Sequence, residues 1–248
     1  MKYLLSKTSF PIVERLAHGR TLCAFDFDGT LAPIVEHPRM ARMRGPTRRL
    51  LKDVACLYPC IVVSGRRRTD VAKRLRGISL AGIFGNHGAE SESTAREDRR
   101  IQRWKAHLQN EIGDLPGVWV EDKGTSLAVH YRQSLHPRHS LRRIAEAIAT
   151  LNEVRSFGGK KVVNVVADGS PNKGDVVVAE RDRLRCTQVL YLGDDENDED
   201  AFALKGDLVG VRIGRKKHTH ARYYLRSQEE IDRLLHRLVH LRRPDAAE

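Results

Sequence analysis

The chain has 248 residues, of which 40% are hydrophobic and 31% charged, a balance that can bury a core and excludes a disordered chain. Its 44 Lys and Arg residues against 32 Asp and Glu give a formal net charge of +12, which favours acidic partners, whether nucleic acid or phosphorylated metabolites. Aromatic residues make up only 6% and do not alternate with the basic clusters, so a base-stacking surface for nucleic acid is not indicated.

Short apolar runs, each followed by a helical pattern, predict βα units and a parallel sheet. The runs lack polar alternation, as expected for strands that are covered on both faces. In chain order they are residues 22–25, 61–63, 80–84, 189–192 and 208–213. The predicted fold class is therefore α/β, with a Rossmann-like core built on a parallel sheet.

The middle of the chain follows a different pattern. A helical pattern passes through Trp104, and residues 118–120 and 126–131 alternate like half-buried antiparallel strands. Residues 162–166 predict one more strand. This mixture of helices and antiparallel strands is typical of an α+β unit.

A helix at about residues 140–151 completes this unit. Its apolar residues at helical spacing are Leu141, Ile144, Ala145, Ile148 and Leu151. Because the α+β unit interrupts the parallel-sheet pattern, we predict that residues 89–166 form a cap inserted into a core made of residues 1–88 and 167–248.

Polar residues at the carboxyl ends of the predicted core strands are expected to share one crevice. Asp26, Ser64 and Asp194 lie far apart in the sequence, but each comes at the end of an apolar run. In an open parallel sheet, ligands bind just beyond the carboxyl ends of the strands. The sequence therefore predicts that these three side chains meet at one site.

Residues 25–31 read FDFDGTL and form the most specific motif in the chain. Asp26 and Asp28, two residues apart at a strand end, can point the same way, and Gly29 allows a tight turn whose N–H groups can hold phosphate oxygens. The string resembles the first motif of the haloacid dehalogenase (HAD) superfamily of phosphatases.

The other motifs of that superfamily occur in the expected order. Ser64 in VVSGR resembles the second motif, and Lys173 in PNKGD resembles the third. Residues 193–199, which read GDDENDE, resemble the fourth. The resemblance to a HAD core therefore rests on four motifs.

The resemblance implies a role for each of these residues. Asp26 is the nucleophile, Asp28 is the general acid and base, and Ser64 and Lys173 bind the phosphoryl oxygens. Mg²⁺ is the implied cofactor, because carboxylates supply the hard oxygen ligands that this ion prefers. The implied metal site comprises Asp26, Asp28, Asp194, Asp195 and Asp198.

Three more segments carry a narrower resemblance. Residues 85–90 read GNHGAE, residues 121–124 read EDKG, and residues 129–132 read VHYR, strings similar to the signatures of trehalose-6-phosphate phosphatases. In that family, the residues equivalent to Glu121 and Lys123 hydrogen-bond sugar hydroxyls. The substrate contacts that we infer from the resemblance are Gly29, Gly65, Arg66, Asn86, His87, Glu121, Lys123, His130 and Asn164.

The chain departs from the family pattern at two positions. Asn164 stands where the family has a Glu that contacts the disaccharide; Asn still forms hydrogen bonds but loses a charge-assisted contact. Asn197 replaces the usual Thr of the fourth motif. Asn164 leaves open which sugar phosphate is the substrate, whereas Asn197 is expected to change the geometry of its loop.

No apolar run approaches the roughly 18 residues of a membrane span, and residues 1–10 contain no secretory signal segment. The four cysteines form no CxxC pair, which favours reduced thiols over a disulfide framework or a zinc site. We therefore expect a cytoplasmic protein with no membrane partner, and a monomer is favoured.

The expected function is Mg²⁺-dependent hydrolysis of trehalose 6-phosphate through an aspartyl-phosphate. One alternative keeps this chemistry with another sugar phosphate, such as a sucrose or glycosylglycerate phosphate. Another is a non-catalytic module that binds phosphate or nucleic acid. Asp28 argues against such a module, because binding alone needs no acid/base group.

Overall fold

The computed structural model describes residues 1–35, 37–92, 99–159 and 161–243. Residues 93–98 of the predicted cap and residues 244–248 of the predicted core lie outside the described residues, as do residues 36 and 160.

The described residues contain two β-sheets and helices that cover them. The strands are β1 (Lys2–Tyr3), β2 (Thr21–Phe25), β3 (Cys60–Val63), β4 (Gly82–Phe84), β5 (Trp119–Asp122), β6 (Ser126–His130), β7 (Val154–Gly159), β8 (Val162–Ala167), β9 (Gln188–Gly193), β10 (Leu208–Ile213) and β11 (Tyr223–Leu225). The α-helices are α1 (Phe10–His18), α2 (Gly45–Leu57), α3 (Arg68–Arg74), α4 (Arg99–Ile112), α5 (Pro137–Ala149), α6 (Lys173–Arg183), α7 (Glu199–Phe202) and α8 (Glu230–Arg242).

The larger sheet has seven parallel strands in the order β1-β11-β10-β9-β2-β3-β4. Each residue of β2 is buried. Cys23 and Phe25 pack with α1, α2 and α8 on one face, whereas Leu22 and Ala24 pack with α6 and α7 on the other. Coverage of both faces explains why residues 22–25 of this strand are all apolar. The predicted α/β class is confirmed.

The smaller sheet is antiparallel, in the order β5-β6-β8-β7. One of its faces packs against α4 and α5 through a separate apolar cluster that includes Trp104, Leu127 and Ile144. Strand β7 was not predicted, because its sequence, VRSFGG, has charged, polar and glycine residues in place of an apolar run. The strand forms because its residues pair with those of β8.

Helix α5 faces its sheet with a different side from the predicted one. Ile144 and Ile148 are buried as expected, together with Ala147, but Leu141 and Ala145 are exposed. The expectation that Leu141 and Ala145 join the buried face is therefore wrong, because the helix turns its buried stripe toward Ala147.

Among the described residues, no helix is both long and apolar enough to cross a bilayer.

The orientation of α5 predicts a contrast between two truncations on the same helix. Ile144→Ala should lower the free energy of unfolding by about 2–5 kcal/mol, because it leaves a cavity beneath the helix. Leu141→Ala should change it by less than about 0.5 kcal/mol, because that side chain faces water. Urea denaturation followed by circular dichroism measures both values. Equal losses would contradict the orientation described.

Candidate active site

The centre of the site is Lys173, the first residue of α6, which is almost completely buried. Its Nζ donates hydrogen bonds of 2.7 Å to Asp26 Oδ1 and of 2.7 Å to Asp198 Oδ1. Burial works against the charged amine, but the carboxylates of Asp198 and Asp26 outweigh it and raise the pKa of Lys173. Lys173 is therefore a fixed positive charge at the crevice.

Asp26 follows β2 directly and is held where the sheet ends. Its N–H donates to Leu192 O of the neighbouring strand β9 at 2.8 Å. Burial raises the pKa of Asp26 well above its usual range; Lys173 opposes this shift, and the carboxylates of Asp198 and Asp194 add to it. The groups around Asp26 carry more negative than positive charge, so they would stabilise a further cation.

Asp198 accepts hydrogen bonds from four donors. Lys173 and the Tyr191 hydroxyl, each at 2.7 Å, donate to Oδ1, while the N–H groups of Asp194 and Asp195, each at 2.9 Å, donate to Oδ2. A carboxylate has about four acceptor sites, so these bonds use its capacity. Asp198 therefore holds the loop in place, which suits a supporting role beside a metal better than direct ligation.

Three buried carboxylates form a cluster that fits a divalent cation. Oxygen atoms of Asp26, Asp194 and Asp198 all lie within 4.8 Å of one another. Gly29, with a φ of 86°, approaches so closely that a Cβ would lie 2.2 Å from Asp194 Oδ2. Because Asp198 is engaged by four donors, Asp26 and Asp194 are the carboxylates best placed as ligands of a hard metal ion.

Two other acidic residues lie outside this cluster. Arg66 donates to both carboxylate oxygens of Asp28, from Nε at 2.6 Å and from Nη2 at 2.8 Å. Asp195 is turned toward the smaller sheet, with Oδ2 3.7 Å from where a Cβ on Gly159 would lie. The structure thus brings together only some of the carboxylates that were predicted to bind metal.

Sequence reasoning missed Arg212, which fixes the loop that carries Asp194. Its guanidinium, buried at the end of β10, donates to Asp194 O at 2.5 Å and to Asp195 O at 3.0 Å. It also forms an ion pair with Glu199 at 3.2 Å. The available signal was an arginine inside an apolar strand, VGVRIG, since a buried charge needs partners.

Ser64 and Gly65 form a tight turn at the end of β3. The Ser64 Oγ accepts from Arg66 N at 3.2 Å, and the Ser64 carbonyl accepts from His87 N at 2.9 Å. A Cβ on Gly65 would lie 2.5 Å from His87 Cε1, so only glycine fits beneath this ring.

Asn86 links this edge of the core to the smaller sheet. Its Nδ2 donates to Thr125 Oγ1 at 2.6 Å and to Lys123 O at 3.1 Å, both in the β5–β6 hairpin. Lys123 Nζ donates in turn to Gly65 O at 2.8 Å. The predicted contact residues Asn86 and Lys123 therefore hold the two sheets together in this structure.

His87 is buried between the two sheets. Its ring meets Phe157 of β7 edge to face, with the ring centres 4.8 Å apart. Burial lowers the pKa of His87 well below its usual range, and the charges of Lys173 and Lys123 add to this, whereas a hydrogen-bonding contact with Asn164 opposes it. His87 is therefore neutral at physiological pH.

Glu121 and His130 lie on neighbouring strands of the smaller sheet. His130 Nε2 and Glu121 Oε2 are 2.9 Å apart. This hydrogen bond lowers the pKa of Glu121 against the opposing effect of burial, and the charges of Lys123 and Arg67 lower it further. Glu121 is thus an ionised acceptor facing the core.

The fold is shared with solved phosphatases. The Candida albicans trehalose-6-phosphate phosphatase C-terminal domain matches with a TM-score of 0.77 at 21% identity, covering 92% of this chain and 96% of that chain. A sugar phosphatase of HAD subclass IIB matches with a TM-score of 0.62 at 14% identity, covering 86% and 96%. The chain thus shares the fold of these phosphatases.

The sequence comparisons identify the family. The profile described as Trehalose-phosphatase matches residues 24–229. The trehalose-phosphate phosphatase of Mycobacterium tuberculosis (strain ATCC 25618 / H37Rv) is 34% identical over 206 residues, which cover 75% of this chain and 50% of that protein. The probable trehalose-phosphate phosphatase D of Arabidopsis thaliana is 29% identical over 266 residues, covering 94% and 71%. The chain belongs to the trehalose-phosphatase family, and it spans about half the length of the Mycobacterium tuberculosis trehalose-phosphate phosphatase that it matches.

The buried, neutral state of His87 predicts a pH dependence of stability. A histidine in the unfolded chain titrates near pH 6.5, so the unfolded state binds more protons below that pH and the fold loses stability as pH falls. The backbone at His87 has a positive φ of 59°, which an asparagine tolerates. His87→Asn should remove up to about 2 kcal/mol of the stability lost between pH 7 and pH 5.

Urea denaturation at each pH measures this effect. His236→Asn, a substitution of an exposed histidine on α8, serves as the matched control and should keep the slope of the wild-type protein. If His87→Asn has that same slope as well, His87 is not held neutral.

Proposed function

We propose that this chain is a Mg²⁺-dependent phosphatase that hydrolyses trehalose 6-phosphate to trehalose and phosphate. The observation that carries the proposal is the buried Lys173 between Asp26 and Asp198, with Asp194 in the same cluster. This arrangement supports the proposal, because Asp26 can act as a nucleophile, Lys173 as a fixed cation, and Asp26 and Asp194 as metal ligands at the carboxyl edge of a parallel sheet, where ligands bind.

In the first step, a carboxylate oxygen of Asp26 attacks phosphorus. The phosphorus–oxygen bond to the sugar breaks, and Asp28 donates its proton to the leaving oxygen. In the structure, Asp28 accepts two hydrogen bonds from Arg66, so it has to turn away from Arg66 to act as an acid. Lys173 and Ser64 bind the phosphoryl oxygens and hold them for in-line attack.

In the second step, water attacks the phosphorus of the aspartyl-phosphate. Asp28, now ionised, takes a proton from the water, and the bond from phosphorus to Asp26 breaks. Inorganic phosphate leaves and the Asp26 carboxylate is restored. In the structure, Arg66 donates to both oxygens of the Asp28 carboxylate and so fixes its position.

Bound Mg²⁺ would neutralise charge between the nucleophile and the phosphoryl group. Asp26 and Asp194 would hold it, and Asp198 would support the loop through its four hydrogen bonds. Asp28 and Asp195 were also predicted as metal residues; their positions outside the cluster give them no direct part in this proposal.

The smaller sheet supplies the sugar contacts in this proposal. Glu121, Lys123, His130 and Asn164 come from its strands or hairpin, and Asn164 takes the place of the family glutamate. Within the described residues, four of the buried polar atoms without a hydrogen-bond partner belong to the segments that follow β2, β4 and β9, which supports a polar ligand at these strand ends. These atoms are Thr30 Oγ1, Asn86 Oδ1, His87 Nδ1 and Asn197 Oδ1.

Two further expectations belong to the proposal. The separate sheets support a division into a catalytic core of residues 1–88 and 167–248 and a cap of residues 89–166. The four cysteines are free thiols, which supports a reducing compartment, the cytoplasm. The monomeric state stays a prediction.

Phosphate release from a panel of sugar phosphates tests the substrate. With Mg²⁺, kcat/KM for trehalose 6-phosphate should exceed that for sucrose 6-phosphate and glucose 6-phosphate by at least about 100-fold, because remote sugar contacts contribute to transition-state binding. EDTA should abolish release. If another sugar phosphate leads, Asn164 and its neighbours recognise a different sugar and only the core chemistry remains.

Asp28→Asn is the control against a module that only binds phosphate. The amide cannot transfer the proton, so release should fall by at least about 100-fold. Asp182→Asn, a change in an exposed residue of α6, should keep the wild-type rate. An Asp28→Asn variant as active as the wild-type protein would contradict the acid/base role.

A further inference from the structure

One face of the smaller sheet is directed at the core. Pairing across the four strands aligns Glu121, Ala128, Asn164 and Phe157 in one row. The Phe157 ring contacts His87 of the core, so this face covers the crevice. Each strand alternates its side chains between the two faces, so residues two positions away lie on the same face.

The next row on this face begins with Trp119 and His130. These two residues pair across β5 and β6, and His130 pairs onward with Val162. At the other end of the row, Gly159 lies near Asp195 of the acidic loop. This row lies two positions along the strands from the row of Glu121. The step is about 7 Å and leads away from Lys123.

Trp119 is held rigidly but left half exposed. Its ring stacks on His130, with the centres 4.0 Å apart and the planes inclined by 13°. The same imidazole forms a hydrogen bond with Glu121, so the stacked indole has a defined position relative to that carboxylate. Trp119 remains 50% exposed, and β5 is an edge strand among the described residues, so no strand covers the outer side of the ring.

The position of Trp119 matches the path of a leaving group that contains more than one sugar ring. The phosphoryl group lies at Asp26 and the leaving oxygen at Asp28, which is held by Arg66. Glu121 lies on the cap side of this path, where the backbone of Asp122 accepts from Arg67. A first ring that contacts Glu121 would place a second ring one row further along the strands, at Trp119.

An aromatic ring suits one face of a pyranose. The C–H groups on that face are weakly positive and apolar, and they pack against the negative face of an indole. The hydroxyls at the edge of the pyranose remain free for Glu121 and His130. A ligand that covers an exposed indole is stabilised, because apolar surface of both is removed from water.

We propose that Trp119, stacked on His130, forms a platform for the distal pyranose ring of a disaccharide phosphate. The proposal rests on the proposed function and deepens it: the platform selects a disaccharide phosphate over a monosaccharide phosphate. Trp119 acts in binding and specificity and does not touch the reacting atoms.

Kinetics on two substrates tests the platform. In Trp119→Ala, the ratio of kcat/KM for trehalose 6-phosphate to that for glucose 6-phosphate should fall about tenfold, mainly through KM, since a remote contact is lost. Trp119→Phe should retain most of the ratio. Leu135→Ala, which truncates a cap side chain that is 85% exposed, is the matched control and should keep the ratio.

Fluorescence gives a reading without turnover. The chain has two tryptophans, and Trp104 is buried, so iodide should quench mainly Trp119. In an Asp26→Asn background with Mg²⁺, trehalose 6-phosphate should protect Trp119 from iodide, and glucose 6-phosphate should not. Trp119→Phe in the same background should remove the response.

The outcomes separate this inference from the proposed function. If the wild-type protein shows no preference for trehalose 6-phosphate over glucose 6-phosphate, the proposed substrate and the platform both fail. If the wild-type preference is present and Trp119→Ala retains it, or if trehalose 6-phosphate leaves quenching unchanged, only the platform fails.

Discussion

The ion pairs of Lys173 with Asp26 and Asp198 are the constraint on which the rest of the site depends. An isolated buried charge costs several kcal/mol, so the lysine and its carboxylates are stable inside the protein only as a hydrogen-bonded group. Tyr191 and two backbone N–H groups complete the bonding of Asp198, and Arg212 holds the carbonyls of the same loop. The loop after β9 is therefore shaped by the lysine at the start of α6. One centre joins groups from the ends of two strands and the first turn of a helix.

The segments at the carboxyl ends of the core strands also hold the smaller sheet. Gly65 accepts from Lys123, Asn86 donates to the β5–β6 hairpin, and His87 meets Phe157. The contacts that hold the smaller sheet and the ligand contacts that we propose therefore lie in the same few segments. A substitution in residues 64–67 or 86–87 is expected to alter both, and effects on sugar binding have to be compared with effects on a small phosphate ester before a role is assigned.

Sequence reasoning predicted correctly that carboxylates from distant parts of the chain meet, because parallel strands end at the same edge of a sheet. Asp26 and Asp194 lie at the carboxyl ends of adjacent strands, and they meet as that rule requires. The orientation of side chains on the smaller sheet was harder to predict from the sequence. Strand β7 owes its existence to pairing with β8, and the exposure of Trp119 depends on how β5 ends the sheet, so neither follows from local pattern. Arg212 was missed because a single charge in an apolar strand does not reveal its partners.

The most direct test of this account is the response of thermal stability to Mg²⁺ and beryllium fluoride, which mimics a phosphoryl group on a carboxylate. A ligand that binds only the folded state raises its stability, so the wild-type melting temperature should rise when both are present. Mg²⁺ alone should have a smaller effect, and Asp26→Asn should lose the response to beryllium fluoride. No shift in the wild-type protein, or an equal shift in Asp26→Asn, would contradict the assignment of Asp26 as the nucleophile at a metal-assisted phosphoryl site.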